Sequence, residues 1–148
     1  MRNQQGMTAL EVLLVLAVLA LGAGAATPSL SGALGGVRVH GAAADLYGAA
    51  HLTRSYAWAT GQMHALVIGA DGRTFRVVED PGGAARTVYG PAVLVDAVVA
   101  EANTTIRFSP RGFAVPAGTI TVRSGGEVRR VIVSLLGRVR IASGEAPG

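Results

Sequence analysis

The chain reads as α+β, with one long N-terminal helix followed by a body of mostly antiparallel strands. Three observations predict this. Residues 7–26 form an almost unbroken apolar run, and from Leu30 to Trp58 apolar residues continue at roughly helical spacing. From Met63 onward, short β-like runs alternate with Gly, Pro and Asp turns that lie too close together for helical crossovers. At 148 residues the chain is long enough for one small domain and an anchor, and too short for two full domains.

The helix begins in an apolar segment. Val12 to Ala26 is fifteen residues without a charge or a hydrogen-bonding side chain. Met7 to Ala26 is twenty residues, about 30 Å as a helix, which matches a bilayer core. Arg2 precedes it, so the positive-inside rule keeps that end in the cytoplasm and sends the bulk of the chain outward. One carboxylate, Glu11, stands at the head of the run. A charge at a bilayer centre costs roughly 2.5–3.5 kcal/mol, so it is a functional-site candidate. Thr8 is a local hydrogen-bond partner or cap for it.

Beyond Pro28 the spacing of Leu30, Leu34, Val37 and Ala44, then Leu46, Tyr47, Ala50, Leu52, Tyr56 and Trp58, carries the helix on. Trp58 is expected in the core. Gly32, Gly35, Gly36, Gly41 and Gly48 each lower helix propensity by about 0.8–1 kcal/mol against Ala. A helix so rich in glycine must be held by packing on a sheet, and Gly61 is its expected stop.

The strands follow in order. His64–Ile68 and Thr74–Glu79 flank an Asp-Gly turn, and Asp80-Pro81-Gly82-Gly83 is a second turn. Thr87–Tyr89, Val93–Val95, Asp96–Ala100 and Thr105–Ser109 are short strands. Thr119–Ser124 and Val128–Leu135 form a hairpin about Gly125-Gly126, and Gly137 turns the chain into Arg138–Ala142. The residues from Ser143 onward read as a loose tail.

There is no Cys, so neither disulfides nor thiolate metal sites are available and the body must hold by packing. Lys is absent as well, and thirteen Arg against nine acids give +4. From Arg107 to the C-terminus stand seven Arg and two Glu. This asymmetry suits an anionic partner for the C-terminal part.

Gly6-Met7-Thr8-Ala9-Leu10-Glu11 with its apolar run resembles the N-terminus of type IV pilins and of type II secretion pseudopilins. Phe108-Ser109-Pro110-Arg111-Gly112, Thr119–Val122, Arg130-Val131-Ile132-Val133-Ser134 and Gly137-Arg138-Val139-Arg140-Ile141 resemble the ending of the GspH/FimT group. Leu52-Thr53-Arg54-Ser55-Tyr56-Ala57 is loosely similar to a helical segment of that group, with Tyr56 where Glu is usual. The resemblance implies a pilin-like fold, a long kinked helix packed on the sheet. It also implies that residues 1–6 are a leader, cut by a prepilin peptidase between Gly6 and Met7, with Met7 then N-methylated. Residues 7–28 become the transmembrane and assembly half of the helix, Pro28 its kink. Residues 29–148 become a periplasmic domain, with helix 29–61 and sheet 63–142. Thr8, Glu11 and Pro28 are the assembly residues, Glu11 meeting the amine of a neighbouring subunit.

The function so implied is a minor pseudopilin of the H type, an inner-membrane protein of a type II secretion system whose partners are other pseudopilins. A second reading is a minor type IV pilin binding DNA in uptake. A third is a periplasmic β-domain behind an ordinary signal peptide, with Leu10 to Leu21 as its apolar core.

No catalytic constellation stands out. His40, His51 and His64 are too scattered for a metal motif, and Ser55 and Ser134 lack a Gly-x-Ser-x-Gly context. Gly32–Gly36 lacks the Gly-Lys-Ser/Thr of a phosphate loop. The chain is therefore expected to be no enzyme and to need no cofactor or metal. Arg138 and Arg140 lie two apart on a predicted strand and so share a face, with Arg129, Arg123 and Arg111 nearby as further candidates for anion or nucleic-acid binding. The plainer reading is a solvated basic edge that resists aggregation.

Overall fold

The structure is a computed structural model that describes residues 8–79 and 85–144, without the side chains of 21–33. The leader, the Gly6–Met7 bond, the Pro28 side chain, the expected turn at 80–83 and most of the tail lie outside the described residues. Contacts divide the chain into two units, one ending at Leu34 and the other running from Gly35 to Gly148.

Helix α1 runs from Ala9 to Thr60, with no break in helical structure at Pro28. Its stop is where the sequence places it. Thr60 Oγ1 donates to the Tyr56 carbonyl at 2.8 Å and accepts from Gln62 N–H at 3.3 Å. Gly61 then takes the left-handed φ of 67° that ends many helices.

In the second unit the buried stripe of α1 is Val39, Ala42, Ala43, Leu46, Ala49, Ala50, Thr53 and Ala57. The period is helical, but the residues are mostly small. The expected face was built from larger residues, and several of these point away: Leu34, Val37, Tyr47 and Trp58 are exposed. Trp58, at 80% exposure, corrects the expectation of a core position. It stands twelve residues after Leu46, which rotates it about 120° off the buried direction. Alanines take most of the inner face and are buried with strand residues of both sheets in one cluster.

Eight strands follow: β1 (His64–Ile68), β2 (Thr74–Glu79), β3 (Arg86–Val93), β4 (Val99–Ala102), β5 (Ile106–Phe108), β6 (Gly118–Ser124), β7 (Glu127–Val133) and β8 (Val139–Ser143). All pairings are antiparallel, as expected. The strands divide into two four-stranded sheets, ordered β3-β2-β1-β5 and β4-β6-β7-β8. The single sheet expected from the sequence is thereby corrected. The division falls between β4 and β5, where Asn103 is drawn to β6. Its N–H donates to the Thr119 carbonyl at 3.1 Å, and its Oδ1 accepts from Thr119 N–H at 2.8 Å. Two further boundaries differ from expectation. The pieces expected at 87–89 and 93–95 are one edge strand, β3, in which Pro91 is tolerated because one side needs no donor. Asp96 and Ala97 form a turn before β4, with Ala97 at φ 63°.

Both sheets and the helix share one apolar cluster, in which Leu66, Val77 and Phe108 of the first sheet meet Ile120, Val131 and Val133 of the second with the α1 stripe. The β1–β2 turn is fastened by Asp71, whose Oδ1 accepts from Arg73 N–H at 3.0 Å and from Thr74 N–H at 3.2 Å. The Arg73 backbone hydrogen bond, foremost among these, holds the Asp71 carboxyl below its ordinary range.

The helix surface gives a contrast that can be measured. Gly48 is exposed, and a Cβ added there meets nothing within 4 Å. Gly48→Ala should raise stability by about 0.8–1 kcal/mol. Ala50→Leu, by overpacking the fully buried stripe, should lower it by about 1–3 kcal/mol. Denaturant midpoints of the two variants should move in opposite directions; a gain in both would show that the alanine face is not tightly packed.

Candidate functional site

The described part of the N-terminal segment starts at Thr8, which caps α1. Glu11 N–H is 3.0 Å from the Thr8 carbonyl and 3.4 Å from Thr8 Oγ1, and Val12 N–H donates to the same carbonyl at 3.2 Å. Thr-x-x-Glu is the sequence of a capping box, in which the hydroxyl serves an otherwise orphaned helix donor. Glu11 therefore sits in the first turn, where the positive end of the helix dipole favours a carboxylate. The sequence placed Thr8 as a cap and the structure brings the two residues together.

Every large apolar side chain from Leu10 to Leu19 is exposed. These side chains point all round the axis, unlike the single stripe of residues 39–57. A helix apolar on all sides has to be covered by lipid or by other helices. Among the described residues no helix is long and apolar enough to cross a membrane. The described apolar side chains end at Ala20, so the remainder of the expected span lies outside them.

The C-terminal arginines belong to the second sheet. Strand register sets Ile132 opposite Arg140, Arg130 opposite Ala142, and Arg129 opposite Ser143. Side chains alternate, so Arg130 and Arg140 share the face turned away from Val131 and Val133. Arg138 is exposed just before β8, and with Arg140 it flanks a shallow depression lined by Ile132, Ser134 and Val139. Arg129 lies on the opposite face, where its Nη1 donates to Ser143 Oγ at 2.6 Å. Its odd number sends it inward, and Arg130 stands on the Arg140 face instead. Arg123 also lies on that outer face, 3.5 Å from Glu101. Two residues that sequence reasoning did not join, Arg54 and Arg111, converge with Trp58 elsewhere in the second unit.

The comparisons with known proteins agree with this architecture. The family described as Type II transport protein GspH matches residues 42–137. No curated protein matches the chain in sequence. Among solved structures, the type IV minor pilin FimU of Pseudomonas aeruginosa is similar at 19% identity and a TM-score of 0.60, over 70% of this chain and 87% of that one. The minor pseudopilin EpsH from the type 2 secretion system of Vibrio cholerae is similar at 16% identity and a TM-score of 0.57, over 68% of this chain and 93% of that one. A second EpsH structure gives 13% identity and the same TM-score, over 76% and 99%. At such identities the likeness shows the pilin-like α+β fold.

The split of the arginines between two faces makes duplex DNA binding a graded test. We expect the full chain in detergent to bind duplex DNA only as weakly as any basic protein. Arg138→Ala with Arg140→Ala should then shift the slope of log affinity against log salt by less than about one unit. A shift of roughly two units, matched by no change in Arg129→Ala, would assign one phosphate contact to each outer arginine.

Proposed function

Because the chain belongs to the GspH family of type II transport proteins, we propose that it is a minor pseudopilin of the H type, built into the periplasmic pseudopilus of a type II secretion system. The observation that carries the reading is the α1 segment from Ala9, exposed and apolar around its axis, with a single carboxylate, that of Glu11, in its first turn. Such a segment has one stable destination, an apolar environment made of lipid or of packed helices.

The mechanism follows from the charge. In the membrane, Glu11 is tolerable only when its charge is matched. Cleavage after Gly6 creates a new amine at Met7, and the amine of one subunit pairs with Glu11 of its neighbour as the helices stack. The pairing sets the axial register of assembly, while the sheets and the second half of α1 form the periplasmic body. The protein does no bond-making chemistry and uses no cofactor. Its partners are prepilin peptidase, the inner membrane and the other pseudopilins. A second reading, a minor type IV pilin that takes up DNA, draws its support from Arg130, Arg138 and Arg140 on the outer face of the second sheet, and the salt titration above separates the two.

Processing is the first test. Co-expression with a prepilin peptidase should shorten the chain by the six residues preceding Met7 and leave a methylated Met7 by mass spectrometry, while Gly6→Val should abolish the cut. A mature N-terminus near Ala26 or Thr27 would instead identify an ordinary signal peptide and sink the reading.

Assembly is the second. Glu11→Val removes the unmatched charge, so the variant should enter the membrane at least as well as the parent yet lose co-purification with partner pseudopilins. Undiminished co-purification would show that the carboxylate does not set the register.

A further inference from the structure

Two turns in the second unit have the same construction. In Ser109-Pro110-Arg111-Gly112-Phe113, Gly112 N–H donates to the Ser109 carbonyl at 2.8 Å and Phe113 N–H approaches Ser109 Oγ at 3.3 Å. In Ser134-Leu135-Leu136-Gly137-Arg138, Gly137 N–H donates to the Ser134 carbonyl at 2.8 Å and Arg138 N–H approaches Ser134 Oγ at 3.2 Å. Each ends in a left-handed glycine, at φ 82° and 73°, the three-residue hairpin loop with a glycine bulge. The two turns lie side by side. A Cβ on Gly137 would collide with the Gly112 carbonyl oxygen, and Ala114 N–H donates to the Leu135 carbonyl at 3.0 Å.

Arg54 of α1 is seated against this pair. Its Nη1 donates to the Gly137 carbonyl at 3.4 Å, and a Cβ on Gly112 would fall 3.0 Å from its Nε. The glycines therefore leave the guanidinium the room it occupies. Beside it opens a cavity of about 380 Å³, lined by His51, Arg54, Ser55, Trp58, Arg111 and Gly112. The lining holds two guanidiniums and no carboxylate, and neither arginine is in an ion pair among the described residues. His51 Nε2 is buried there without a hydrogen-bond partner among the described residues. Exposed apolar side chains stand on the cavity wall and on the two turns: Trp58 lines the cavity, Phe113 follows the first turn glycine, and Leu135 and Leu136 form the second turn tip.

We propose that this pocket docks a protein segment that presents a carboxylate flanked by apolar side chains. Arg54 and Arg111 supply charge-assisted hydrogen bonds to the carboxylate. Trp58, Leu135, Leu136 and Phe113 cover its apolar neighbours. Arg and Trp are the residues that most often carry binding energy at protein interfaces. The exposed leucines favour a protein over a nucleic acid, which would stack on Trp58 and gain little from aliphatic tips. The pocket belongs wholly to the second unit, so this recognition stands apart from the N-terminal assembly reading and does not depend on which secretion or pilus system holds the chain.

Trp58 is the sole tryptophan of the chain, so its fluorescence reports on the pocket directly. The full chain in detergent is titrated with acetyl-Leu-Glu-Leu-Leu-amide, with its Gln counterpart, and with a short oligothymidylate. The Glu peptide should shift Trp58 emission saturably and bind about tenfold or more tighter than the Gln peptide. Arg54→Gln and Arg111→Gln should each erase most of that preference. Arg111 sits on an exposed turn tip, so its variant decides the matter even where Arg54→Gln loses its fold by circular dichroism. Equal affinity for the two peptides, no saturable shift at millimolar peptide, or binding of the oligothymidylate in preference to the Glu peptide would each overturn the proposal.

Discussion

The rest of the molecule depends on the packing of both sheets and a narrow alanine face of α1 into one apolar cluster. Ala42, Ala43, Ala50 and Ala57 are fully buried, with Val39, Leu46 and Thr53 adding bulk to that stripe. Buried together with strand residues of both sheets, these small side chains accumulate many weak dispersion contacts. Without cysteine, nothing covalent supplements this packing. Thr53 adds a polar residue to the stripe at no cost in unsatisfied donors, because its hydroxyl returns to the Ala49 carbonyl at 2.7 Å. His64, equally buried, is covered by Tyr56 in a stacked arrangement with ring centroids 5.8 Å apart.

One helix thus serves two environments. Around residues 39–57 it is amphipathic and folds against its own chain. Around residues 9–20 it is apolar around its axis and exposed among the described residues. The transition is compositional, from Leu and Val to Ala and Gly. Propensity alone would not sustain so glycine-rich a helix, and the packed second half supplies what local sequence lacks. Glu11, in the first turn, is a charged residue in an otherwise apolar stretch, which is why the sequence marks it as a candidate.

Much of this was legible in the residues. Gly61 as a helix stop, the Asp71-Gly72 and Gly125-Gly126 hairpins, and the Thr8–Glu11 cap all rest on local chemistry, and local chemistry is written locally. What the sequence obscured depends on long-range choices. The division into two sheets follows from Asn103 binding β6, a contact across sixteen positions that no period announces. Trp58 reads as core because it is a large apolar residue at roughly helical spacing, whereas the buried stripe is carried mostly by alanines with weak hydropathic contrast. The arginine face was legible in part: Arg138 and Arg140 emerge together, but Arg129 is separated by the pleat, a matter of one residue of register. The pocket at Arg54 was missed although a signal existed, the twofold occurrence of Ser-x-x-Gly at residues 109–112 and 134–137.

Those paired turns have a consequence for how such a chain can diversify. Their turn-closing hydrogen bonds run through the main chain and the serine hydroxyls, which fix the backbone, while the side chains of Arg111, Leu135 and Leu136 are exposed and take no part in these bonds. Pro110-Arg111 and Leu135-Leu136 show the same scaffold already carrying two unlike chemistries, one cationic and one aliphatic. Mutation at the tips is therefore uncoupled from mutation in the frame. Sister proteins can drift toward new partners by exchanging four side chains, while selection on folding acts on a different set of residues.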